Sequence, residues 1–275
     1  MSTPVDLLRR VDAYLDRAPD GDASTVDVGP LRSFVSRAPW PFYVRPRPGL
    51  DPASAEAISA DQVADAAAVL EAAEQDVSFE WVDELVPSLG PALEAAGYAV
   101  QRHPLLVLDL GSRPTTCTSP ARLLAGGSPD LRRALAVSDV GFADAGTAVG
   151  PAGAHDREAA LAGVDDAHVR HVDTRVRDGR SVLAVLDDDR DGVVATGWHQ
   201  PIGDTTEIVG VATLPTHRRR GAAAAVVDRL LHDARVHGCT LALLSATDGD
   251  VARVYERLGF RRIGTAGAAA SPPAP

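Results

Sequence analysis

The 275-residue chain contains no lysine, because all 27 of its basic residues are arginine. It has only two cysteines, Cys117 and Cys239, which excludes a disulfide framework and a cysteine-rich metal site. Aromatic residues make up 4% of the sequence, so alanine, valine and leucine must fill most of the core. The longest apolar helical run, residues 222–227, is far shorter than the roughly 20 residues that a membrane span needs.

The N-terminus shows no targeting signal, since residues 1–10 have no apolar run after their charges. We therefore expect a soluble, cytoplasmic protein without a membrane partner. A hydrophobic fraction of 45% is sufficient for a packed core and argues against a disordered chain. Heavy use of alanine, arginine, proline and glycine without lysine suggests a bacterial genome rich in G and C.

The negative charge is concentrated in the first part of the chain. Of the net charge of −11, residues 1–112 contribute −10 (8 arginines, 18 acidic residues), and residues 113–275 contribute −1 (19 and 20). An acidic chain binds polyanions poorly, so we expect no nucleic-acid partner. The charge step and a stretch rich in Gly, Ser, Thr and Pro predict two domains. They are residues 1–112 and 118–266, with a linker at 113–117 and a disordered tail at 267–275.

Hydrophobic periodicity in the second part predicts a mixed α/β domain. The pattern indicates a strand near 121–125, helices at 131–143 and 156–176, a hairpin over 181–199, strands at 205–214 and 240–246, a helix at 248–258 and a last strand at 260–264.

A tight loop after Pro215 is the most informative stretch of the sequence. Pro215 ends a strand, three arginines follow, and Gly221 opens a helix that begins with four alanines. The unpaired N–H groups and positive dipole of such a helix start bind anions, and glycine lets a ligand approach the backbone closely. Arginine side chains can fork onto phosphate oxygens, so the loop predicts a phosphate site. It is not a P-loop, because the Gly-Lys-Ser/Thr sequence is missing.

These residues resemble the GNAT superfamily of acetyl-CoA-dependent N-acetyltransferases, whose pyrophosphate loop reads Q/R-x-x-G-x-G/A. The loop stands here as Arg218, Arg219, Arg220, Gly221, Ala222 and Ala223. A strand ending in V-A-T-L-P (211–215) precedes it, and V-Y-E-R-L-G-F (254–260) follows it at the family's spacing. The resemblance covers about residues 118–266 and implies the GNAT fold, a mixed α+β sheet.

The resemblance also implies a donor site with acetyl-CoA as co-substrate and no metal. Backbone groups of Val211, Ala212 and Thr213 would pair with pantetheine, and residues 218–223 would hold the pyrophosphate. Asp248 stands where many members have an asparagine near the cofactor, and this departure leaves its contact open.

Two side chains match catalytic positions of the family. Tyr255 matches the helix tyrosine that protonates the departing thiolate, and Glu207 lies where histone-acetylating members place their general base. A carboxylate can remove the proton from an amine that attacks the thioester directly. A backbone N–H at the strand can stabilise the oxyanion.

Each assignment has a structural alternative. Tyr255 could be only a core aromatic residue, and Glu207 could be a surface residue if the strand register differs. His199 and His217 are expected to be structural, Cys239 a small buried residue, and the acidic stretch 187–191 a solvated turn.

Three functions remain open from the sequence. We expect transfer of acetyl to a small-molecule amine, an amino sugar or a protein amine, with the acceptor bound by roughly residues 131–180 or also by the first half of the chain. The alternatives are a non-catalytic acyl-CoA-binding sensor or partner module, and an enzyme that uses a longer acyl-CoA.

The first part of the chain repeats the second in degenerate form. Gly97-Tyr98 aligns with Gly259-Phe260 at an offset of 162 residues, which places Ser59 opposite Gly221 and Glu56 opposite Arg218. A carboxylate there would repel pyrophosphate, so this half is expected to be GNAT-like without a cofactor site. Its predicted elements are helices at 4–18, 30–36, 59–75 and 85–96, strands at 41–46 and 77–82, and two strands within 98–110.

Overall fold

The computed structural model describes residues 3–50, 57–113, 116–144 and 146–271. The chain forms two compact units of mixed α/β structure. Unit 1 comprises Met1–Leu106, Ser245–Thr247 and Arg262–Pro275, and unit 2 comprises Val107–Leu244 and Asp248–Arg261. No described helix is long and apolar enough to cross a membrane. The expected division into domains at 1–112 and 118–266 stays a prediction. The two units do not follow one cut in the sequence, because each unit also includes residues from the other part of the chain.

Eight helices and eleven strands lie in the described part of the chain. In chain order they are α1 (Pro4–Arg17), β1 (Ala23–Val28), β2 (Leu31–Ser36), β3 (Val44–Pro46), α2 (Ala60–Ala72), β4 (Ser78–Val82), α3 (Leu89–Ala95), β5 (Ala99–Asp109), β6 (Arg122–Leu124), α4 (Leu131–Ala143), α5 (Ala154–Ala160), α6 (Asp166–Arg177), β7 (Val182–Asp188), β8 (Gly192–Ile202), β9 (Thr205–Thr213), α7 (Ala222–Val236), β10 (Leu241–Ser245), α8 (Gly249–Glu256) and β11 (Arg261–Ala270).

The sheet of unit 1 has the strand order β1-β2-β3-β4-β11-β5. Its central strands bury large apolar side chains, among them Phe34, Phe79 and Trp81. The segment 98–110 forms one strand, β5, rather than the two that the sequence suggests. The inclusion of β11 means that the end of the chain belongs to the same unit as its beginning.

The helix predicted at 30–36 is wrong, because these residues form β2 of a hairpin with β1. Val28 pairs with Leu31, so Gly29 and Pro30 make a two-residue turn. Gly29 has a φ of 55°, as the first central position of such a turn requires. The proline that suggested the start of a helix therefore closes a turn.

The expected end of the last strand at Gly264, followed by a tail from 267, is also wrong. Strand β11 continues to Ala270, with Ala266 opposite Val82 and Ala270 opposite Ser78 of antiparallel β4. Alanine and glycine have low strand propensity, but the pairing with β4 and close contacts override it. Residues 272–275 of the expected tail lie outside the described residues.

The sheet of unit 2 has the order β10-β9-β8-β7-β6, with β9 and β10 parallel and the other pairs antiparallel. Helices cover both faces. A Cβ placed on Gly197 would meet Val226 of α7, and one placed on Gly141 of α4 would meet Ala212. Between these layers lies a core of aliphatic residues, including Leu183, Val185, Leu230 and Leu243.

The helix predicted over 156–176 is two helices. α5 ends at Ala160, a short 3₁₀ turn follows, and α6 begins after Asp165. The Asp165 carboxylate accepts hydrogen bonds from the backbone N–H groups of Ala167 and His168. This N-cap starts a new helix where the periodicity suggested continuity.

The two halves of the sequence share one order of elements. Helices α1 and α2 and strand β5 begin at residues 4, 60 and 99, and α6, α7 and β11 begin at 166, 222 and 261, which is an offset of 162 in every case. The structure therefore supports the internal repeat that Gly97 and Gly259 indicated. Glu56, which the offset places opposite Arg218, lies outside the described residues.

A close contact in unit 1 makes the smallest side chain necessary at Gly267. A Cβ at this position would lie 2.2 Å from the Trp81 ring. We expect Gly267→Ala to lower the free energy of unfolding by about 1–3 kcal/mol, because the ring is buried and has little room to move. Urea titration of the full chain would measure this. The same substitution at Gly163, where a Cβ meets nothing within 4 Å, is the control, and equal effects at both sites would contradict the contact.

Candidate active site

Strands β9 and β10 of unit 2 separate along their length. They pair only over their first residues, Thr205 with Leu241 through Glu207 with Leu243. Strand β9 continues to Thr213, and its opposite edge pairs with β8 there. In the described residues, the edge of β9 that faces β10 is thus left without a strand partner beyond Glu207. This opening could accept the backbone-like amides of an extended ligand.

A β-bulge redirects the second half of β9. Trp198 pairs with Val209 and Thr196 with Ala212, so Gly197 lies opposite two residues, Gly210 and Val211. Gly210 has a φ of 62°, and a Cβ there would lie 2.5 Å from the Trp198 ring. Only glycine satisfies both constraints. The sequence prediction missed this bulge, although a glycine inside a strand pattern is a signal for one.

The bulge brings Glu207 and Ala212 to the same face of the sheet. Thr206 contacts His199 on the α7 side, so the next residue, Glu207, lies on the α4 side. Ala212 also faces α4, as its contact with Gly141 shows. Without the extra residue, Glu207 and Ala212 would point to opposite faces. The half-buried Glu207 is therefore on the side where the sequence placed the acceptor.

The loop between β9 and α7 presents backbone N–H groups and positive charge. Gly221, with a φ of 83°, precedes the helix, and Ala225 N–H donates the first helical hydrogen bond to its carbonyl. The N–H groups of Ala222 and Ala223 have no acceptor within the helix. Arg219 and Arg220 are exposed, and a Cβ at Gly221 would meet nothing within 4 Å. The arrangement suits an anion.

The equivalent helix start in unit 1 is already capped. Ser59 occupies the position of Gly221, and its hydroxyl accepts a hydrogen bond from Gln62 N–H. The Gln62 side chain in turn accepts from Ser59 N–H, which completes a capping box. The groups that are available to an anion in unit 2 are therefore partly used by the protein itself in unit 1.

The guanidinium of Arg218 does not face the loop's anion site. It is buried and donates four hydrogen bonds at the end of α4, to the carbonyls of Gly141, Asp144 and Ala148 and to the Asp144 carboxylate. The three arginines thus differ. Arg219 and Arg220 are available to a ligand, whereas the side chain of Arg218 is committed to the protein.

His217 is buried beside the β7–β8 turn. Its Nε2 lies 3.2 Å from Asp191 Oδ2 and 3.9 Å from Asp188 Oδ2, and its Nδ1 lies 3.0 Å from the Thr216 hydroxyl. Backbone N–H groups of Arg190 and Asp191 lower the pKa of Asp188. In the part of the chain that the structure describes, these three side chains form the one group that could hold a metal. Their contacts also fit a turn held by hydrogen bonds to the imidazole, in line with the structural role expected for His217.

Tyr255 lies on α8, and Asp248 is the N-cap residue of this helix. The Asp248 carboxylate accepts hydrogen bonds from the N–H groups of Asp250 and Val251. Its contact with a cofactor stays a prediction. The Tyr255 ring packs edge-on against Phe260, with centroids 5.9 Å apart. Burial raises the pKa of Tyr255 to about 12. No described residue forms a hydrogen bond with its hydroxyl.

His199 is a structural residue, as expected. It is fully buried, its Nδ1 lies 2.8 Å from the Thr206 hydroxyl, and its Nε2 lies 3.1 Å from Asp233 of α7. Donation by Nε2–H to the carboxylate leaves Nδ1 to accept from Thr206. This network fixes α7 beneath β9 and so supports the loop between them. Cys239 is likewise buried, as predicted.

Comparison with solved structures defines the class of fold. The chain has the fold of GNAT N-acetyltransferases over nearly its whole length. A GCN5-related N-acetyltransferase from Kribbella flavida is 21% identical, with a TM-score of 0.67 and coverage of 98% of this chain and 96% of that one. One from Sphaerobacter thermophilus is 16% identical, with a TM-score of 0.51 and coverage of 98% and 93%.

A tandem GNAT protein from the clavulanic acid biosynthesis pathway is also similar. It is 17% identical, with a TM-score of 0.53 and coverage of 89% of this chain and 79% of that one. Residues 154–260 match the model of the acetyltransferase (GNAT) family. No curated protein sequence gives a match. The resemblance and the fold class inferred from the sequence are confirmed.

The buried Asp233 should make stability depend on pH. Burial alone would raise the pKa of this carboxylate, but the hydrogen bond from His199, with the nearby His237 and Arg229, outweighs burial and lowers it. Its contribution is complete above the unfolded pKa of about 4 and is lost as pH falls through the lower folded pKa. We expect Asp233→Asn to cost about 1–3 kcal/mol at pH 7, because His199 loses its charged partner.

Chemical denaturation between pH 7 and pH 2 would measure this cost. The difference between the parent and Asp233→Asn should shrink below pH 4. Asp139→Asn, at an exposed site on α4, is the matched control and should show little difference at any pH. A cost at Asp233 that is constant across the range would exclude a role for its charge.

Proposed function

We propose that the protein transfers acetyl from acetyl-CoA to an amine acceptor by direct attack, with the donor bound in unit 2. The observation that carries this proposal is the separation of β9 from β10 next to the loop of α7. The opening offers backbone hydrogen-bonding groups, and the loop offers an anion site at its end. A thioester with an extended amide arm and a pyrophosphate fits both features.

The donor is assigned to groups that the fold leaves available. Backbone groups of Val211, Ala212 and Thr213 would pair with the pantetheine arm on the unpaired edge of β9. The backbone of residues 218–223 and the side chains of Arg219 and Arg220 would hold the pyrophosphate. Asp248 would act indirectly, by capping the helix that carries Tyr255.

The chemistry needs one base and one acid. The amine nitrogen forms a bond to the acetyl carbon, and Glu207, directly or through water, takes the proton that the nitrogen loses. A backbone N–H of the bulged strand would stabilise the oxyanion of the tetrahedral intermediate. The C–S bond then breaks, and the Tyr255 hydroxyl gives its proton to the thiolate. With a pKa of about 12, Tyr255 is protonated at neutral pH. The desolvation that raises the pKa of Tyr255 would also make the departing thiolate more basic, because burial disfavours its charged form.

A panel of amines tests the proposed function. Acetyl-CoA and small-molecule amines, amino sugars and peptides with free amines would be incubated with the full chain, and release of the CoA thiol would be followed. Acetyl-CoA should also raise the melting temperature, since it binds the native state. Stabilisation without thiol release across the panel would favour an acyl-CoA sensor. If acetyl-CoA causes neither stabilisation nor thiol release, the donor site is rejected.

Replacement of Tyr255 by phenylalanine tests the acid. We expect kcat to fall about 10²–10⁴-fold, the usual contribution of a positioned acid, with little change in the Kd of acetyl-CoA. Steady-state kinetics and calorimetry would separate the two quantities. An unchanged kcat would reject the acid role and leave Tyr255 as a packing residue against Phe260.

The pH dependence of the rate tests Glu207. Glu207→Gln cannot accept the amine proton, so the rise of kcat/KM with pH in the parent should be displaced to higher pH or lost. Glu256→Gln, at an exposed position on α8, is the control and should keep the parent profile. If the Glu207 variant keeps it as well, the base lies elsewhere.

A further inference from the structure

Two segments of unit 2 are joined by hydrogen bonds. One is the start of the loop between β9 and α7, and the other is the end of α4 with the chain beyond it, residues 141–144 and 146–153, here termed the α4-end segment. Gly150 N–H donates to the Pro215 carbonyl, and Thr216 N–H donates to the Ala152 carbonyl. Gly153 lies so near Thr216 that a Cβ would come within 2.8 Å of its hydroxyl oxygen.

Arg218 caps the C-terminal end of α4. The helix ends at Ala143, and Asp144 follows in extended conformation. The Arg218 guanidinium donates to the Gly141 carbonyl at 2.8 Å and to the Asp144 carbonyl at 2.6 Å. A cation at a helix C-terminus also interacts favourably with the helix dipole.

The charge of Arg218 is compensated where it lies. Asp144 Oδ1 is 2.8 Å from the guanidinium, whose side chain is 8% exposed. Turning it toward a bound phosphate would break this ion pair and leave the buried carbonyl of Gly141 without a donor. A lysine could not replace it, because an ammonium group lacks the planar fork that reaches several acceptors at once.

We propose that Arg218 is a positioning residue that ties the α4-end segment to the pyrophosphate loop and takes no part in binding phosphate through its side chain. The effect of Arg218 on acceptor binding rests on the proposed function, since the α4-end segment lies in the region expected to bind the acceptor. A loop that holds the donor at Arg219–Ala223 would thereby also fix the acceptor side of the site.

Hydrogen exchange of the free protein tests the connection without any substrate. In Arg218→Ala, amides of the α4-end segment should exchange about tenfold faster or more, because bonds to a charged group are lost. Arg220→Ala removes a neighbouring charge of the same loop and should leave exchange in this segment unchanged. Arg218→Lys should resemble Arg218→Ala, since retention of charge alone does not restore the fork.

A truncated donor separates positioning from phosphate binding. S-acetylpantetheine carries the thioester and the amide arm but no pyrophosphate. With an amine that gives product, Arg220→Ala should lower kcat/KM for acetyl-CoA but not for S-acetylpantetheine. Arg218→Ala should lower both by a similar factor and raise the KM of the amine.

The opposite pattern would overturn the proposal. Unchanged exchange in the α4-end segment of Arg218→Ala would show that Arg218 does not hold this segment. A loss of kcat/KM with acetyl-CoA but not with S-acetylpantetheine would make Arg218 a phosphate ligand. If Arg218→Ala does not fold, Asp144→Asn weakens the same contact more gently and should accelerate exchange in the same amides, whereas no acceleration would count against the connection. The exchange experiment needs no acetylated amine. It can therefore contradict the role of Arg218 even if the proposed function is correct, and support that role even if the proposed function is wrong.

Discussion

The separation of β9 from β10 is the constraint on which the site depends. Parallel strands usually continue to pair, but here pairing stops at Glu207 and Leu243. The bulge at Gly210 keeps β9 bonded to β8 while it bends away from β10. Trp198 fills the space that a side chain at 210 would need, so the bend is held by packing as well as by backbone conformation. One extra residue in the strand thus places Ala212 on the same face as Glu207, beside the opening.

The two helix starts show how a repeated fold can keep or lose an anion site. Gly221 offers no side chain to α7 and leaves its first N–H groups to a ligand, whereas Ser59 and Gln62 satisfy groups at the start of α2. Capping by serine stabilises a helix by about 1 kcal/mol relative to alanine. Unit 1 therefore gains local stability from residues that occupy backbone groups which an anion would need at its helix start.

Local patterns predicted most of unit 2, because its strands are apolar and its helices are punctuated by glycine and proline. The helix over 131–143 and the strand pair near 181–199 follow from periodicity alone. The errors at 30–36 and 267–270 have another cause, since a proline and a run of alanines are ambiguous without their partners. The repeat held the missing information, because an offset of 162 places β2 opposite β8. The direction of the Arg218 side chain could not be predicted, since it depends on a contact 74 residues away in sequence.

The absence of lysine and the role of Arg218 are connected through geometry. Any cationic side chain can bind a phosphate. From the sequence alone, three adjacent arginines are therefore expected to be equivalent charges. In the fold, the positive φ of Arg219 turns the chain between its neighbours, so that Arg218 points into the protein and Arg220 to solvent. A buried position with several carbonyl acceptors requires a planar, multidentate donor, and arginine is the only cationic side chain that provides one. Consecutive residues of the loop therefore differ in what they contact: Arg218 bonds inward to the α4-end segment, and Arg219 and Arg220 are left to the solvent side, where the proposed anion would bind.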